Sequence, residues 1–393
     1  MLDLEEAQLR VLADVMVLGA ERVSLEHAVG RVLADDVIAP SPLPPFDYSA
    51  MDGYAVELAT AGEVREVVGE SRAGGEAPPL LRGTAMRIFT GAPLPLGADA
   101  VVMQEETERT GDSLRLVGVP RAGDHVRRAG DDLASGATAL VRGTRLRATH
   151  LPLLASLEAN RPAVVRRPVV TILATGDELR EPGAIARPGT IVETNGPALA
   201  AMARAIGATT RLLPIAPDDP ARLRAALLDA LDGADVVLTI GGVSVGDHDL
   251  VKPALASVGV DLDFWRVSIK PGKPLAVGRR GKTRILGLPG NPVSALVTFV
   301  LFGAPLLRAL SGERSPLPKA RLARLARELR HTPGRTELVR ATLTYQDGAA
   351  IATPVTSQSS GSLVSIAWAD ALIVLPKDSA GAPAGSSVSI LEL

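Results

Sequence analysis

The middle of the chain alternates short apolar runs with amphipathic stretches of helical period. The apolar runs cover residues 169–174, 210–215, 236–240 and 284–286. Helical periodicity appears at residues 198–206, 221–231 and 293–310. This alternation predicts a mainly parallel sheet with helices on both faces, a three-layer α/β domain.

The flanking regions have a different pattern. Short β-like runs broken by glycine and proline cover residues 64–68, 86–89, 100–104 and 113–119, and similar runs follow at 338–345, 350–354, 371–376 and 387–391. Before them, Leu9, Leu12 and Met16 fall near helical spacing. The pattern therefore predicts an N-terminal helix, a β-rich region before the α/β domain and a second β region after it.

Composition narrows the class of protein. Of 393 residues, 46% are hydrophobic and 3% aromatic, and the formal net charge is −2. These values argue against general disorder and against a surface that coats nucleic acid. The chain has no cysteine, which excludes disulfides, zinc ribbons, iron–sulfur clusters and thiol nucleophiles. The N-terminus is unlike a secretory signal, so we expect a cytoplasmic protein with neither nucleic-acid nor membrane partners.

A glycine-rich loop follows the apolar run 236–240. Its candidate ligand-binding residues are Gly241, Gly242, Ser244, Gly246 and Asp247, with Asp249 at the end. Glycines allow backbone N–H groups to approach an anion closely. Carboxylates at the same place would repel a phosphate unless a cation such as Mg²⁺ bridges them. The alternative is an ordinary turn in which Asp249 caps a helix.

Two further loops complete a phosphate-binding pattern. Lys270 and Lys273 flank Gly272 in a segment that Pro271 and Pro274 make rigid, which favours an anion clamp over a solvated pair. The string Pro289-Gly290-Asn291 then precedes the long helix that contains Ser294. For Asn291, ordinary helix capping is an equal alternative.

Carboxylates follow other strands of the same predicted sheet. Glu178 comes after residues 169–174, and Asp218 precedes the helix 221–231. We expect Asp219 to cap that helix and Asn195 to cap the preceding one. Each carboxylate alone is compatible with simple solvation, but several around one crevice favour a metal or acid–base site. In the N-terminal third, Asp52 and Thr90 lie beside glycines and are weaker candidates.

Seven strings occur in one order along nearly the whole chain: PFDYSAMDGYAV, RIFTGAPLPLGADAVVMQE, ATGDEL, ETNG, GGVSVGDHD, IKPGKP and GLPGNPVSA. Read together, they resemble the MoeA family of molybdenum cofactor biosynthesis, the molybdopterin molybdenumtransferases, which are related to the C-terminal part of gephyrin. The resemblance implies an L-shaped subunit of four domains that forms a homodimer and has a MogA-like α/β domain.

Applied to this chain, the resemblance implies a division of the sequence into domains. An N-terminal helix (1–19) packs with the α/β domain (168–312), which binds adenylylated molybdopterin. A small connecting domain (20–38 and 138–167) carries an inserted β-rich domain (39–137). Residues 313–393 form a barrel-like C-terminal β domain.

The resemblance also implies an activity and its residues. The enzyme inserts molybdate into adenylylated molybdopterin, hydrolyses the adenylate and releases AMP and molybdenum cofactor. The family's functional acids fall on Asp52, Glu178, Asp218 and Asp249, with Thr90, Lys270 and a basic residue at Arg266. Glu178, Asp218 and Asp249 are the predicted Mg²⁺ ligands, and a molybdopterin adenylyltransferase is the expected pathway partner.

Three alternatives remain open. The α/β domain alone is compatible with the preceding step, adenylylation of molybdopterin by ATP. A tungstate-inserting relative is also possible, because tungstate and molybdate are nearly isosteric. A scaffold role has little support, because the chain has no fused adenylyltransferase and no long linker.

Overall fold

A central sheet organises the α/β region in a computed structural model that describes residues 1–58, 60–242 and 250–393. Its strands run in the order Thr209–Leu212, Val169–Ala174, Val236–Ile240, Thr283–Leu288, Pro274–Arg280 and Asp261–Arg266. The first four are parallel and the last two antiparallel. The prediction of a mainly parallel sheet is confirmed.

The last two strands of the sheet, which run antiparallel to their neighbours, were not predicted from the sequence. Asp261–Arg266 and Pro274–Arg280 form a hairpin that pairs Asp261 with Arg279 and Arg266 with Pro274. Charged residues at the strand ends and a proline at the start of Pro274–Arg280 weaken the strand pattern in the sequence, since proline is found mainly at strand ends and edges. The hairpin matters because its connection contains Lys270 and Lys273.

Helices cover both faces of the sheet, which gives the predicted three layers. One face packs against Leu4–Leu12, Asn195–Ala205 and the continuous segment Pro292–Thr298, Phe299–Gly303 and Ala304–Leu310, whose middle turn is a π-helix. The other face packs against Pro220–Leu231 and Val251–Ser257.

The N-terminal helix is present, but the predicted apolar face was wrong. Its buried stripe is Leu4, Ala7 and Val11, at spacings of three and four residues. Leu9 is 69% exposed, and Met16 lies beyond the end of the helix. The true stripe contains an alanine, which is a weaker hydrophobic signal than leucine.

The segment Pro292–Leu310 is the one described helix that is long and apolar enough to cross a membrane by length and composition. Its apolar window is 83% buried inside the structure. Phe299 and Phe302 lie in the core of the α/β region, so the apolar surface of this helix is covered by protein.

The β-rich region is a second sheet. Its strands run in the order Ala100–Met103, Gly53–Val56, Thr84–Ile88, Val64–Ser71, Ser113–Leu116 and Thr107–Thr110, and the helical turn Gln104–Glu106 follows the first of these. Gly53 lies directly against the Val102 carbonyl, where a side chain would collide with backbone. The strand Gly53–Val56 therefore requires glycine at its start, and it leaves Asp52 just outside the sheet.

A small connecting region joins this sheet to the α/β region. It consists of paired strands Ala20–Arg22 with Ala163–Val165 and Val37–Ile38 with Thr138–Leu140, and of the helical segments Leu25–His27, Ala148–His150 and Leu151–Ser156. Ala28, Leu33, Leu146, Leu154 and Val164 form its core. A further pair, Tyr48–Ser49 with Val126–Arg127, belongs to the β-rich region, where Val126 packs on the core.

The C-terminal region, described without gaps from residue 320 to 393, is a closed barrel. Its strands follow the ring Thr336–Gln346, Ala349–Pro354, Arg321–Leu325, Ser387–Glu392, Ala371–Leu375 and back to Thr336–Gln346. The barrel-like prediction is confirmed. Smaller pairs are Ile269–Lys270 with the start of Thr336–Gln346, Leu329–Arg330 with Gly381–Ala382, and Leu179–Arg180 with Ile191–Val192, and the helix Leu363–Ala367 covers one side.

Candidate active site

A cleft of about 870 Å³ opens at the carboxyl ends of the parallel strands. Strands that end at Ala174, Ile240 and Leu288 deliver the loops that line it, as expected for ligand sites in open α/β sheets. Its described lining is Thr175, Glu178, Leu179, Ile191, Val192, Glu193, Thr194, Asn195, Ile240, Gly241, Gly242, Pro274, Pro289, Gly290, Asn291, Pro292, Gly361 and Leu363. The cleft thus brings together Glu178, Gly241, Gly242 and the string 289–291.

Two glycine loops meet at the floor of the cleft. Gly241 has φ +88° and donates its N–H to the Leu288 carbonyl (3.1 Å). A β-carbon on Gly241 would lie 3.1 Å from the Thr175 carbonyl, so the loop tolerates little more than hydrogen there. Gly290 lies alongside: a β-carbon on Gly290 would lie 3.8 Å from the Gly241 α-carbon. The glycines let three strand ends approach one ligand volume.

The expected helix cap at Asn195 was wrong. Glu193 accepts hydrogen bonds from the backbone N–H groups of Asn195 (2.7 Å) and Gly196 (2.9 Å). Its buried carboxylate therefore satisfies the N-terminus of this helix. The Asn195 amide instead donates to the Gly290 carbonyl (2.7 Å), which ties two cleft loops together.

Asn291 occupies the N-cap position but makes no capping bond. Its amide donates to Ser360 Oγ (3.2 Å), and Val293 N–H donates to the Ser360 carbonyl (3.1 Å). The cap of the long helix is thus supplied by the C-terminal region. Asp219, in contrast, caps its helix as predicted by accepting from Arg222 N–H (2.8 Å).

The segment 357–362, hereafter the serine loop, is part of the cleft wall, since Gly361 and the adjacent Leu363 line the cleft. Ser362 caps the helix Leu363–Ala367 by accepting from Ser365 N–H (3.4 Å). A serine run between a strand and a short helix is the only signal that the sequence offers.

Arg340, a residue that sequence reasoning missed, holds the serine loop from the barrel side. It is fully buried and donates from Nη2 to the carbonyls of Ser357 and Ser359 (both 3.1 Å). Gln358 accepts from Arg340 N–H and donates to the Arg340 carbonyl. Burial lowers the pKa of the Arg340 guanidinium, and the Glu337 carboxylate opposes that shift.

The carboxylates at the mouth of the cleft come from two loops. Asp218 accepts from Thr175 Oγ1 and from Asp177 N–H (both 3.4 Å), and Asp177 accepts from Asp218 N–H (3.1 Å). Glu178 folds back over Gly176, so that a β-carbon on Gly176 would lie 2.5 Å from Glu178 Oε2. A carboxylate has about four lone-pair sites, so these contacts leave oxygen lone pairs available.

The donor chemistry at this mouth suits a hard cation, because carboxylate and hydroxyl oxygens are the ligands of Mg²⁺. The described residues do not themselves contain three grouped acids or histidines able to hold a metal. Of the predicted ligands, Glu178 and Asp218 belong to adjoining loops. The third, Asp249, lies outside the described residues, as do Ser244, Gly246 and Asp247.

The basic candidates are held next to the barrel. Lys270 forms an ion pair with Glu337 Oε1 (2.8 Å), and its strand pairs with Thr336 and Glu337. Lys273 and Arg266 are exposed, and Gly272 between the lysines packs on Thr298, where a β-carbon would collide. Ser294 is buried within its helix.

Asp52 and Thr90, far apart in sequence, form one unit in the β-rich region. Asp52 Oδ1 accepts from Thr90 N–H (2.7 Å) and from Thr90 Oγ1 (2.9 Å). The Thr90 amide, then its hydroxyl, lower the pKa of Asp52, with a smaller contribution from Arg87. Arg87 lies over the rings of Tyr54 and Phe89. The pair is exposed, and the described lining of the cleft includes no residue from 39–137.

Three regions of the chain match known families. Residues 2–157 match the MoeA N-terminal region (domain I and II), residues 171–309 a probable molybdopterin binding domain, and residues 322–393 the MoeA C-terminal region (domain IV). Together with the multi-sheet fold and the cleft, these matches show that the chain belongs to the MoeA family.

Relatives and solved structures agree. Molybdopterin molybdenumtransferase 2 of Mycobacterium tuberculosis is 38% identical over 398 residues, covering 98% of each chain. The molybdopterin molybdenumtransferase of Bacillus subtilis is 35% identical and covers 94% of this chain and 89% of that relative. The crystal structure of a molybdopterin biosynthesis MoeA protein from Pyrococcus horikoshii OT3 superposes with TM-score 0.86, at 30% identity and full coverage of both chains. The predicted family and enzyme class are confirmed.

Proposed function

We propose that this chain inserts molybdate into adenylylated molybdopterin with Mg²⁺-dependent hydrolysis of the adenylate. One water is consumed at the phosphoanhydride, and AMP and molybdenum cofactor are released. The observation that carries the proposal is the cleft of about 870 Å³, where glycine loops, a helix start and Glu178 surround a volume suited to a phosphorylated ligand.

The phosphates would lie against the glycine loops. Gly241 and Gly242 present a backbone without side-chain obstruction, and the helix that begins at Pro292 directs its N-terminus at the cleft. Lys270 and Lys273 would add charge-assisted contacts from the neighbouring loop, each contributing about 1.5–3 kcal/mol. In this proposal the α/β region binds the phosphates.

Glu178, Asp218 and Asp249 would hold Mg²⁺ beside the phosphates. When bound, the ion would neutralise phosphate charge and polarise the anhydride. The contribution of the chain is to fix the oxygens, and Gly176 does so for Glu178 by leaving room for its carboxylate. The sulfur ligands of molybdenum come from the pterin, which agrees with a chain that has no cysteine.

The Asp52–Thr90 pair would supply the metal-insertion half of the site from a partner subunit. Two observations support this arrangement: the pair is a built, ionised unit on the surface, and the described cleft lining of the same chain has no contribution from its region. A homodimer would bring the two halves together. Mixing Asp52→Ala with Glu178→Gln subunits tests it, since shared sites restore activity in the mixed dimer, whereas sites within one chain leave both variants inactive.

A molybdopterin adenylyltransferase would supply the substrate, and both would work in the cytoplasm. The competing reading, that this chain itself adenylylates molybdopterin, is favoured by the α/β region alone. Incubation with ATP and molybdopterin separates the two: net adenylate formation supports the adenylyltransferase, and AMP release from preformed adenylate supports insertion. Replacing molybdate with tungstate in the same assay tests the tungstate-inserting alternative.

A further inference from the structure

A lysine and a histidine converge on Glu337, a residue of the barrel strand that pairs with Ile269–Lys270. Glu337 Oε1 lies 2.8 Å from Lys270 Nζ, and Glu337 Oε2 lies 3.8 Å from His331 Nε2. The exposed fraction of the side chain increases from His331 (2%) through Glu337 (13%) to Lys270 (52%). The predicted phosphate-binding lysine is thus linked to a buried imidazole.

Both ring nitrogens of His331 face carbonyl oxygens. Nδ1 lies 2.8 Å from the Ser379 carbonyl, and Nε2 lies 2.9 Å from the Arg335 carbonyl. A carbonyl oxygen only accepts hydrogen bonds, so both nitrogens must carry a proton to satisfy them. A neutral imidazole has one N–H, and either tautomer would set a lone pair against a carbonyl. Flipping the ring by 180° would place two ring C–H groups, instead of the nitrogens, against these carbonyl oxygens.

We propose that His331 is held as an imidazolium and acts as a positioning residue, through Glu337, on Lys270. The role of Lys270 in phosphate binding rests on the proposed function; the charge state of His331 does not. The imidazolium occupies one side of the Glu337 carboxylate, which leaves the other oxygen aimed at Lys270. The parallel register of Lys270 with Glu337 keeps the two side chains on one face.

The charge of the group explains why a second cation is useful. A lysine paired one-to-one with a carboxylate is neutralised and binds an anion weakly. With His331 charged, the set of Lys270, Glu337 and His331 carries a net charge of +1 near the cleft. Other charged residues lie nearby. The Arg340 guanidinium also interacts with the Glu337 carboxylate, but its Nη2 donates to the carbonyls of Ser357 and Ser359. Lys377, in the turn that provides the Ser379 carbonyl, pairs with Asp3, and Arg335 presents its carbonyl. Asp378 lies in the same turn as Lys377.

The charge state is tested by ¹⁵N NMR of the full chain labelled at histidine. At a pH where free imidazole is mostly neutral, both ring nitrogens of His331 should be protonated. The His331 resonances are assigned by their loss in His331→Gln. If that variant does not fold, they are assigned by their change of chemical shift in Glu337→Gln. One unprotonated ring nitrogen overturns the proposal, whether or not the chain has the proposed activity.

The positioning role is tested by kinetics. His331→Gln should raise KM for adenylylated molybdopterin about ten- to a hundredfold, the equivalent of one charge-assisted hydrogen bond, with a smaller change in kcat. Glu337→Gln keeps the charge of Lys270 but removes the carboxylate that orients it, so its KM should rise by less. Arg330→Gln is the matched control, because it removes an adjacent, exposed cation that pairs with Glu328. Unchanged KM in both test variants overturns the role. If the chain does not consume the adenylate, affinity for inorganic pyrophosphate gives the same comparison.

Discussion

Thr90 holds the carboxylate of Asp52 with two hydrogen bonds to one oxygen, from its amide at 2.7 Å and its hydroxyl at 2.9 Å. The two residues are separated by 38 positions, and the strand Thr84–Ile88 brings them together beside Gly53–Val56. A surface aspartate that is fixed in this way is ionised and oriented before any ligand arrives. Such preorganisation is typical of a functional carboxylate.

Replacing Thr90 by valine should raise the pKa of Asp52 toward that of an ordinary aspartate, because the hydroxyl bond is lost while the amide bond remains. A lowered folded-state pKa gives stability above the ordinary aspartate pKa that is lost as pH falls through the folded value. Thr90→Val should therefore narrow the acidic pH range over which Asp52 stays ionised only in the folded chain. Carboxyl ¹³C titration measures the change. Thr84→Val, whose hydroxyl bonds the Leu81 carbonyl, should leave Asp52 unaffected, and an equal shift in both variants would contradict the assignment.

Gly176→Ala should displace Glu178 and reduce AMP release at least about tenfold. Gly176 has φ +144°, a conformation that costs an alanine about 1–3 kcal/mol, and the new methyl group would meet the Glu178 carboxylate. Gly183→Ala is the control, since Gly183 has φ +83° with open space around it. Steady-state AMP release compares them. Similar losses in both variants would mean that backbone strain, rather than Glu178, explains the effect.

Gln358→Ala should loosen the serine loop. Gln358 makes three hydrogen bonds, one from Arg340 N–H and two to the carbonyls of Arg340 and Val355, all at 3.0–3.1 Å. Their loss should destabilise the barrel by about 1–3 kcal/mol and raise KM, because the loop forms part of the cleft wall. Urea unfolding and KM measure the two effects. Ser357→Ala should change neither, since Ser357 contributes its carbonyl; a stable loop with normal KM in Gln358→Ala would refute this account.

Asp218→Asn should raise the Mg²⁺ concentration needed for half-maximal AMP release about tenfold or more, because it removes one proposed anionic ligand. Asp219→Asn is a close control: it removes the neighbouring charge, but asparagine caps helices as well as aspartate does. Magnesium titration of AMP release compares the two variants. Equal Mg²⁺ requirements in both would remove Asp218 from the metal site.

The sequence specified the strands of the sheet well where burial is continuous, as in Val169–Ala174 and Val236–Ile240, both found at their predicted bounds. It failed where tertiary contacts decide. The amide of Asn195 binds the Gly290 carbonyl and the amide of Asn291 binds Ser360, because no local pattern reveals partners 95 and 69 residues away. The Glu337 partner of Lys270 was invisible for the same reason.

The central claim is tested most directly by the stoichiometry of one reaction. Purified chain is mixed with adenylylated molybdopterin and Mg²⁺, with and without molybdate, and AMP and molybdenum cofactor are quantified together. We predict one AMP for each cofactor formed, with both dependent on molybdate. Cofactor formation without AMP release, or rapid AMP release that yields no cofactor when molybdate is present, would contradict coupled insertion and hydrolysis at this cleft.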